Sequence, residues 1–461
     1  MSQNTRSMSD SRRKMMLEGS LLKVICITAI PMMISMLIDS IYNMTDTFFV
    51  SQLGITATAA VGINDSLLLY IRAISMGVGA GAASLLSRLL GQGNEKEANR
   101  VASTSLYSCI GLMCVLGITA YAFLEPIVVW IGATETVLPH SMSYARIILI
   151  SVPFTAFEVV ASQILRSEGS ARLSMIGTVS GCVVNVILDP VFITWLGMGV
   201  GGAALATTIS KGISCIILLY PFLRKKTVIS INPRNFKPGL KLYRDVVVMG
   251  FPSFLRSALM TTSFVVINNV AGSFGDAALA ATTISKKTTQ LVSSAIMGFG
   301  MGYQPLAGFC WGAKKYKRLK DSFWTCTFMG WAACLVLGAV LFVFAKQLML
   351  LFTVPSETEV IRLGVIMIRT QCAVLIPHVW GVIINGLCLG LGKPLSSMLV
   401  GLSRSFICLT PSVVILSRLF GANGLAWSQA VADLLSMVIC VPIVIIFMKH
   451  VNKSEREVSN G

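Results

Sequence analysis

The run NVILDP, Asn185 to Pro190, places an aspartate inside a long apolar stretch. At the centre of a membrane-spanning helix an aspartate costs about 2.5–3.5 kcal/mol on insertion scales. A charge kept at that cost is a functional candidate. Asn185 precedes Asp189 by one helical turn, so both side chains leave the same face. Pro190 has no backbone N–H to donate and frees the carbonyl four residues back, that of Val186. A carboxylate, an amide and a loosened carbonyl at one depth form a candidate small-cation site. The competing reading is a structural polar cluster that holds helices together.

Other apolar stretches carry similar stripes. Ser35, Asp39, Tyr42 and Asp46 recur at helical spacing in the first. Thr155, Glu158 and Ser162 do so in the fourth, and Thr207, Lys211 and Ser214 in the sixth. Buried charges must be paired, protonated or bound to an ion. If the first and fifth stretches run outward and the sixth inward, a rise of ~1.5 Å per residue puts Asp46, Asp189 and Thr207 in the outer half, where they can meet. Asp39 and Lys211 lie nearer the midplane. They form a structural ion pair, or Lys211 reaches Asp189 and leaves when that carboxylate takes up an ion. Asp65 and Arg72, seven apart on one face, are expected to neutralise each other.

These stretches belong to a chain of 461 residues that is 54% hydrophobic and only 12% charged. A soluble protein of that size carries about a quarter charged residues, so the chain is polytopic in a membrane. Its net charge of +17 comes from short clusters between apolar runs, which speak for topology rather than nucleic-acid binding. The twelve cysteines are scattered singly in apolar runs, without a CxxC or a neighbouring His at metal spacing, and read as packing residues. No P-loop and no nucleophile–base arrangement appears. Neither an enzyme nor a resident cofactor is expected, and energy must come from an ion gradient or from the substrate. GVGAG, Gly77 to Gly81, lies in an apolar run and reads as close helix packing, not a phosphate loop.

A span needs about 20 apolar residues. Twelve stretches qualify, at roughly 22–50, 56–86, 100–123, 143–166, 172–195, 200–223, 244–272, 277–308, 321–345, 360–390, 395–417 and 423–448. Residues 1–21 read as a mobile cytoplasmic tail, 22–223 as an N-terminal lobe, 224–243 as an inter-lobe loop, 244–448 as a C-terminal lobe and 449–461 as a second tail. Lys and Arg gather in alternate loops, while 51–55, 124–142, 196–199 and 273–276 have none; Lys346 and Arg418 are the exceptions. Both termini are therefore expected in the cytoplasm.

The halves repeat. An offset of 221 maps Pro31 to Pro252, Gly54 to Gly275, and Gly77, Gly79 and Gly81 to Gly298, Gly300 and Gly302. Offsets of 222 and 223 map Gly202 to Gly424 and Gly169 to Gly392. Six spans per repeat is an even number, so the two lobes are expected to be related by a pseudo-twofold along the membrane normal. Such a chain encloses its own cleft and suits alternating access as a monomer; a channel usually takes its pore from an oligomeric ring. The second lobe differs in charge. It has Lys286, Lys287, Thr289 and Gln290, with Gln429 and Asp433 in the last span, and repeat matching sets Asp433 against Lys211. Lys286, Lys287, Arg256 and Arg404 either line a cleft and meet acidic substrates or lipid headgroups, or they snorkel or lock helices together.

Five segments resemble the multidrug and toxic compound extrusion (MATE) transporters: YNMTDTFFVSQLG (Tyr42–Gly54), SLLSRLLGQGN (Ser84–Asn94), ILRSEGSARLSM (Ile164–Met175), NVILDPVF and GVGGAALAT (Gly199–Thr207). GMGYQPLAGFCWGAKK (Gly300–Lys315) is similar to the matching stretch of their second lobe, with Cys310 where the motif usually has Asn. The resemblance covers nearly the whole chain and is nearest the bacterial DinF/MepA-like branch. It implies an all-α membrane protein of twelve helices in two six-helix lobes. It also implies antiport of organic cations against H⁺ or Na⁺ across a bacterial plasma (inner) membrane. In this branch the ion site matches Asp46, Asn185, Asp189 and Thr207, with Tyr42 beside it; the acidic residues of the NorM branch have no match. Asp39, Glu158, Ser162, Lys211, Lys286 and Gln290 are supporting candidates from the residues themselves. The expected partners are organic cations, H⁺ or Na⁺, and lipid. A flippase for lipid-linked saccharides, with Lys286, Lys287 and Arg256 on a pyrophosphate, is the alternative.

Overall fold

The computed structural model describes residues 3–131, 134–350, 353 and 357–459, and no strand occurs among them. A polar helix, α1 (Gln3–Glu18), precedes the first span, α2 (Leu21–Ser51). Then come α3 (Ile55–Gly91) and α4 (Glu95–Ala122), with a short α5 (Leu124–Ile131) after them. The fourth span is built from α6 (Leu138–Ile148) and α7 (Val152–Ser167), joined by one 3₁₀ turn. The fifth is α8 (Ala171–Asp189), continued by a π-helical stretch over Pro190–Trp195, and the sixth is α9 (Gly199–Leu223). Next are α10 (Leu240–Ser273), α11 (Asp276–Gly312) and α12 (Tyr316–Leu350). The tenth span bends by 53° between α13 (Thr358–Ala373) and α14 (Leu375–Leu391). The eleventh comprises α15 (Pro394–Leu402), a second π stretch over Ser403–Ile407 and the start of α16 (Leu409–Ser459).

Nine stretches among the described residues are long and apolar enough to span, and the bent pair is a tenth. The 64-residue stretch Pro394–Glu457 contains two spans, divided where Gly421 takes a non-helical φ of 60°. α11, at 37 residues, is also long enough to cross; Lys286 and Lys287 make it less apolar. Twelve helices therefore span. Their outer faces are apolar, as at Val115, Ile118, Leu335 and Val343, which is what lipid as solvent requires.

The chain divides into two compact units. Unit 1 comprises Met1–Met16 and Ile34–Phe251, and unit 2 comprises Leu17–Met33 and Pro252–Gly461. The divisions fall beside Pro31 in α2 and Pro252 in α10, each of which removes one hydrogen bond from its helix. In unit 1, α3 packs on α4 and α7, and α8 packs on α9; in unit 2, α11 packs on α13 and α14.

The repeated glycines explain how the proline-bearing helices approach so closely. A Cβ on Gly81 would come 3.0 Å from the backbone nitrogen of Gly250, and one on Gly250 would strike the Gly77 carbonyl. In unit 2 a Cβ on Gly302 would lie 2.8 Å from the Thr28 carbonyl oxygen, and one on Gly298 would lie 2.6 Å from that of Met32. GVGAG and its repeat are helix-packing seams.

The polar ends are more ordered than their composition predicts. Residues 3–18 form a helix instead of a mobile tail. Arg12 pairs with Glu168 and donates to the Lys226 carbonyl at 2.9 Å, and Arg13 reaches the Gly91 carbonyl at 3.3 Å. At the other end α16 runs on to Ser459, tied by Lys320 to Glu455 and Asn452. The segment 224–243 lies along α4: Tyr107 donates to the Ile231 carbonyl at 2.6 Å, and Asn99 accepts from the Ser230 amide at 2.7 Å. These contacts involve specific donors and acceptors, which hydropathy does not register.

Candidate functional site

α8 ends at Asp189, and the helix widens into its π stretch at Pro190, where the regular ladder cannot continue. This fixes the Asp189 carboxylate against α9. Its side chain is fully buried, and Asn185, one turn earlier, is 1% exposed. With the Asn185 amide oriented by its neighbours, its nitrogen donates to Asp189 Oδ2 at 2.9 Å. Its oxygen accepts from both the hydroxyl and the backbone nitrogen of Thr207, at 3.2 Å each. Asn185 thus links the end of α8 to the first turns of α9.

From α2, Tyr42 and Asp46 complete the group. Tyr42 stands beside Thr207, within electrostatic range of Asp46 and Asp189. The Asp46 carboxyl stands within hydrogen-bond reach of Asp189. Asp189 Oδ1 is buried and has no protein donor. Two carboxyl groups this close are stable together only with a proton or a cation between them. The donor set is two carboxyls, one amide and two hydroxyls. No cluster of three or more His, Cys, Asp or Glu that would hold a metal ion occurs among the described residues.

An apolar cluster lies next to this group and includes Val50, Val61, Ile148, Ile193, Val200 and Ala203. Tyr144 belongs to it, is 4% exposed, and sits within electrostatic range of Asp65, Asp46 and Asp189. Nothing in the local sequence, SYAR, marks Tyr144. Asn64, whose amide donates to the Ser141 side chain at 2.7 Å and to its carbonyl, was also not legible.

The remaining candidates of unit 1 pair differently from the expectation. Lys211 bonds neither Asp39 nor Asp189; its ammonium lies 2.8 Å from Glu158, at an angle off that of a hydrogen bond. Asp39 instead takes Arg72, at 3.1 Å, so Arg72 is not the partner of Asp65. Depth along a helix left Lys211 a choice of carboxylates, and rotation about the axis made it. Ser162, one turn beyond Glu158, is buried with an unpartnered hydroxyl.

In unit 2, Lys286 donates to Asn268 at 3.1 Å and stacks over Phe264 at 4.9 Å. Gln290 reaches Ser294 at 3.3 Å. Arg404 on the second π stretch pairs with Asp433 at 2.7 Å, and Gln429 donates to the same oxygen at 3.3 Å. Cys310 is buried, and all twelve cysteines are free.

A chain of twelve spanning helices, built from two repeated units with a polar cluster buried in the first, is a polytopic membrane protein with the architecture of a secondary transporter. The MatE family model matches residues 31–191 and 252–415, one stretch in each repeat, and the chain belongs to that family. It is 27% identical over 437 residues to the multidrug export protein MepA of Staphylococcus aureus, covering 94% of this chain and 95% of that one. MepA of Staphylococcus haemolyticus is 27% identical over 417 residues, covering 90% and 91%. Among solved structures, the outward-facing conformation of a multidrug resistance MATE family transporter of the MOP superfamily superposes with a TM-score of 0.88. It is 26% identical, over 95% of this chain and 98% of the other.

Proposed function

We propose that the chain is a multidrug exporter of a bacterial plasma membrane, with both termini in the cytoplasm. It exchanges cationic amphipathic compounds for H⁺ or Na⁺. The observation that carries the proposal is the contact of Asp46 with Asp189, one of whose oxygens lacks a donor. The pair needs a positive charge, and a proton or a sodium ion supplies it. Lys211 does not compete for that role, because Glu158 holds it.

In this mechanism the ion enters from outside, binds among Asp46, Asn185, Asp189 and Thr207, and neutralises the carboxyls. Tyr42 stands beside Thr207 and Asp46 beside Asp189, so α2 meets α9 and the end of α8 here, and a change at Asp46 shifts the packing of α2. Export follows if ion and organic cation favour opposite conformations; a ligand equally bound to both shifts nothing.

The test uses proteoliposomes loaded with a fluorescent organic cation, under an imposed pH gradient and separately a Na⁺ gradient. The expected result is dye movement under one gradient, which names the ion. Asp189→Asn should abolish it while gel filtration and circular dichroism stay those of the native protein. Undiminished coupled transport in the variant would refute the site.

A further inference from the structure

Unit 2 has a small pocket of about 20 Å³, lined by Arg404, Asp433, His378, Gln371 and Thr289 among others, room for a group about the size of one water. Its charges do not balance. Asp433, 4% exposed, accepts from Arg404 and Gln429. A second guanidinium, Arg256 on α10, is within electrostatic range of Arg404. It packs against Gly401, one turn before Arg404: a Cβ on that glycine would lie 3.2 Å from Arg256 Cδ. The polar contact recorded for Arg256 is a 3.5 Å approach to the Met297 sulfur, not a carboxylate. Between Pro252 and the end of α16, the other acidic residues fall near helix ends or in the connections. Arg404 thus has a carboxylate partner, and Arg256 near it has none.

A second feature points into the same cleft. His378, on α14, is 2% exposed, and its Nε2 has no partner. A buried imidazole nitrogen left unbonded costs free energy, and in the tautomer with its proton on Nε2 it would donate to an anionic ligand in the cleft. Arg404 also sits on a π stretch, a distortion that is frequent at functional sites.

We propose that the cleft in unit 2 binds a singly charged anionic group, bonded by Arg404 and His378 and balanced by the extra charge of Arg256. The group is a free halide or the carboxylate of an organic molecule. This site is separate from the Asp46–Asp189 cluster and is read by binding, so it stands whether or not the chain exports cations.

The test titrates the purified full-length protein in detergent with sodium chloride and, separately, sodium benzoate. Ionic strength is held by a bulky sulfonate buffer salt, and the melting temperature is read. A saturable rise with chloride alone identifies a halide site; a rise with benzoate, relieved by chloride or not, identifies a carboxylate site. Arg404→Gln should abolish the rise, and Arg256→Met and His378→Ala should each weaken the anion about tenfold. Arg404→Gln leaves Asp433 unpaired and is liable to misfold, so Asp433→Asn is the decisive variant. Removing the internal competitor should tighten the anion by about tenfold or more. A purely structural ion pair predicts no tightening. No saturable rise with either salt, or unchanged or weaker binding in Asp433→Asn, overturns the proposal.

Discussion

Replacing Glu158 by Gln should destabilise the protein far more than its size change implies. The Lys211 ammonium lies 2.8 Å from Glu158, and the two side chains are only 18% and 7% exposed. The substituted side chain would keep the shape and remove the charge, leaving the ammonium facing a neutral amide among buried neighbours. Breaking a buried pair from one side costs about 3–5 kcal/mol; the partial exposure of Lys211 favours the lower end. About 3 kcal/mol is more than a hundredfold in the folded-to-unfolded ratio. Removing both charges in Glu158→Leu/Lys211→Met should restore most of that loss, because well-packed apolar pairs replace buried ion pairs at little net cost. The assay is a double-mutant cycle by chemical unfolding in mild detergent, followed by tryptophan fluorescence, with dye transport measured beside it. The expected coupling between the two sites is about 3 kcal/mol, and the double variant should still transport. If Glu158→Gln costs under about 1 kcal/mol, or the double variant is no better than the single, the pair is not what holds Lys211.

Glu168→Gln should loosen the polar face of unit 1. Glu168 is fully buried and accepts from the Val228 and Ile229 amides at 2.8 and 3.0 Å, from Ser170, and from Arg12. Losing the charge should cost about 1–3 kcal/mol locally. It should speed hydrogen exchange at Val228, Ile229 and along α1; unaltered exchange would refute the bridge. Gly302→Ala should sharply lower the melting temperature, because its Cβ would meet the backbone of Ala29 and Thr28. Gly111→Ala, with nothing within 4 Å, should leave the melting temperature unchanged or slightly higher; equal effects at the two glycines would contradict the packing account.

Spacing and depth carried much of the site, and azimuth carried the rest. Asn185 and Asp189 share a face by the four-residue rule, and depth groups Asp46, Asp189 and Thr207; the folded chain brings these side chains within reach of one another. Depth could not choose the partner of Lys211, because the pairing depends on which way each helix face is turned, and Glu158 rather than Asp39 or Asp189 lies against it. The π stretch after Asp189 is announced by Pro190, but the one over Ser403–Ile407 contains no proline, and its sequence SRSFI gives no sign of it. α1 was hidden for a simpler reason. A polar terminal segment reads as solvated, and only the folded chain shows the Glu168 carboxylate waiting for Arg12.

The repeat also constrains what each unit can bind. An offset of 222 sets Lys211 of α9 against Asp433 of α16, so the last span of each unit carries one charge at the same place, with opposite sign. Each is neutralised from a different helix: Lys211 by Glu158 on α7, Asp433 by Arg404 on the π stretch after α15. Once those pairs and Asp39–Arg72 are set aside, unit 1 retains Asp46, Asp65 and Asp189 without a basic partner, against one buried arginine, Arg166, without an acidic one. Unit 2 retains Arg256 and Lys286 without an acidic one. One scaffold, copied twice, thus leaves an excess of negative charge in one copy and of positive charge in the other. Low-dielectric surroundings allow neither excess to persist without a counter-charge. On the proposed readings the first takes a cation or a proton and the second an anionic group, and changing Asp433 to a neutral residue probes that asymmetry directly, because it moves the second unit further from balance without touching the first.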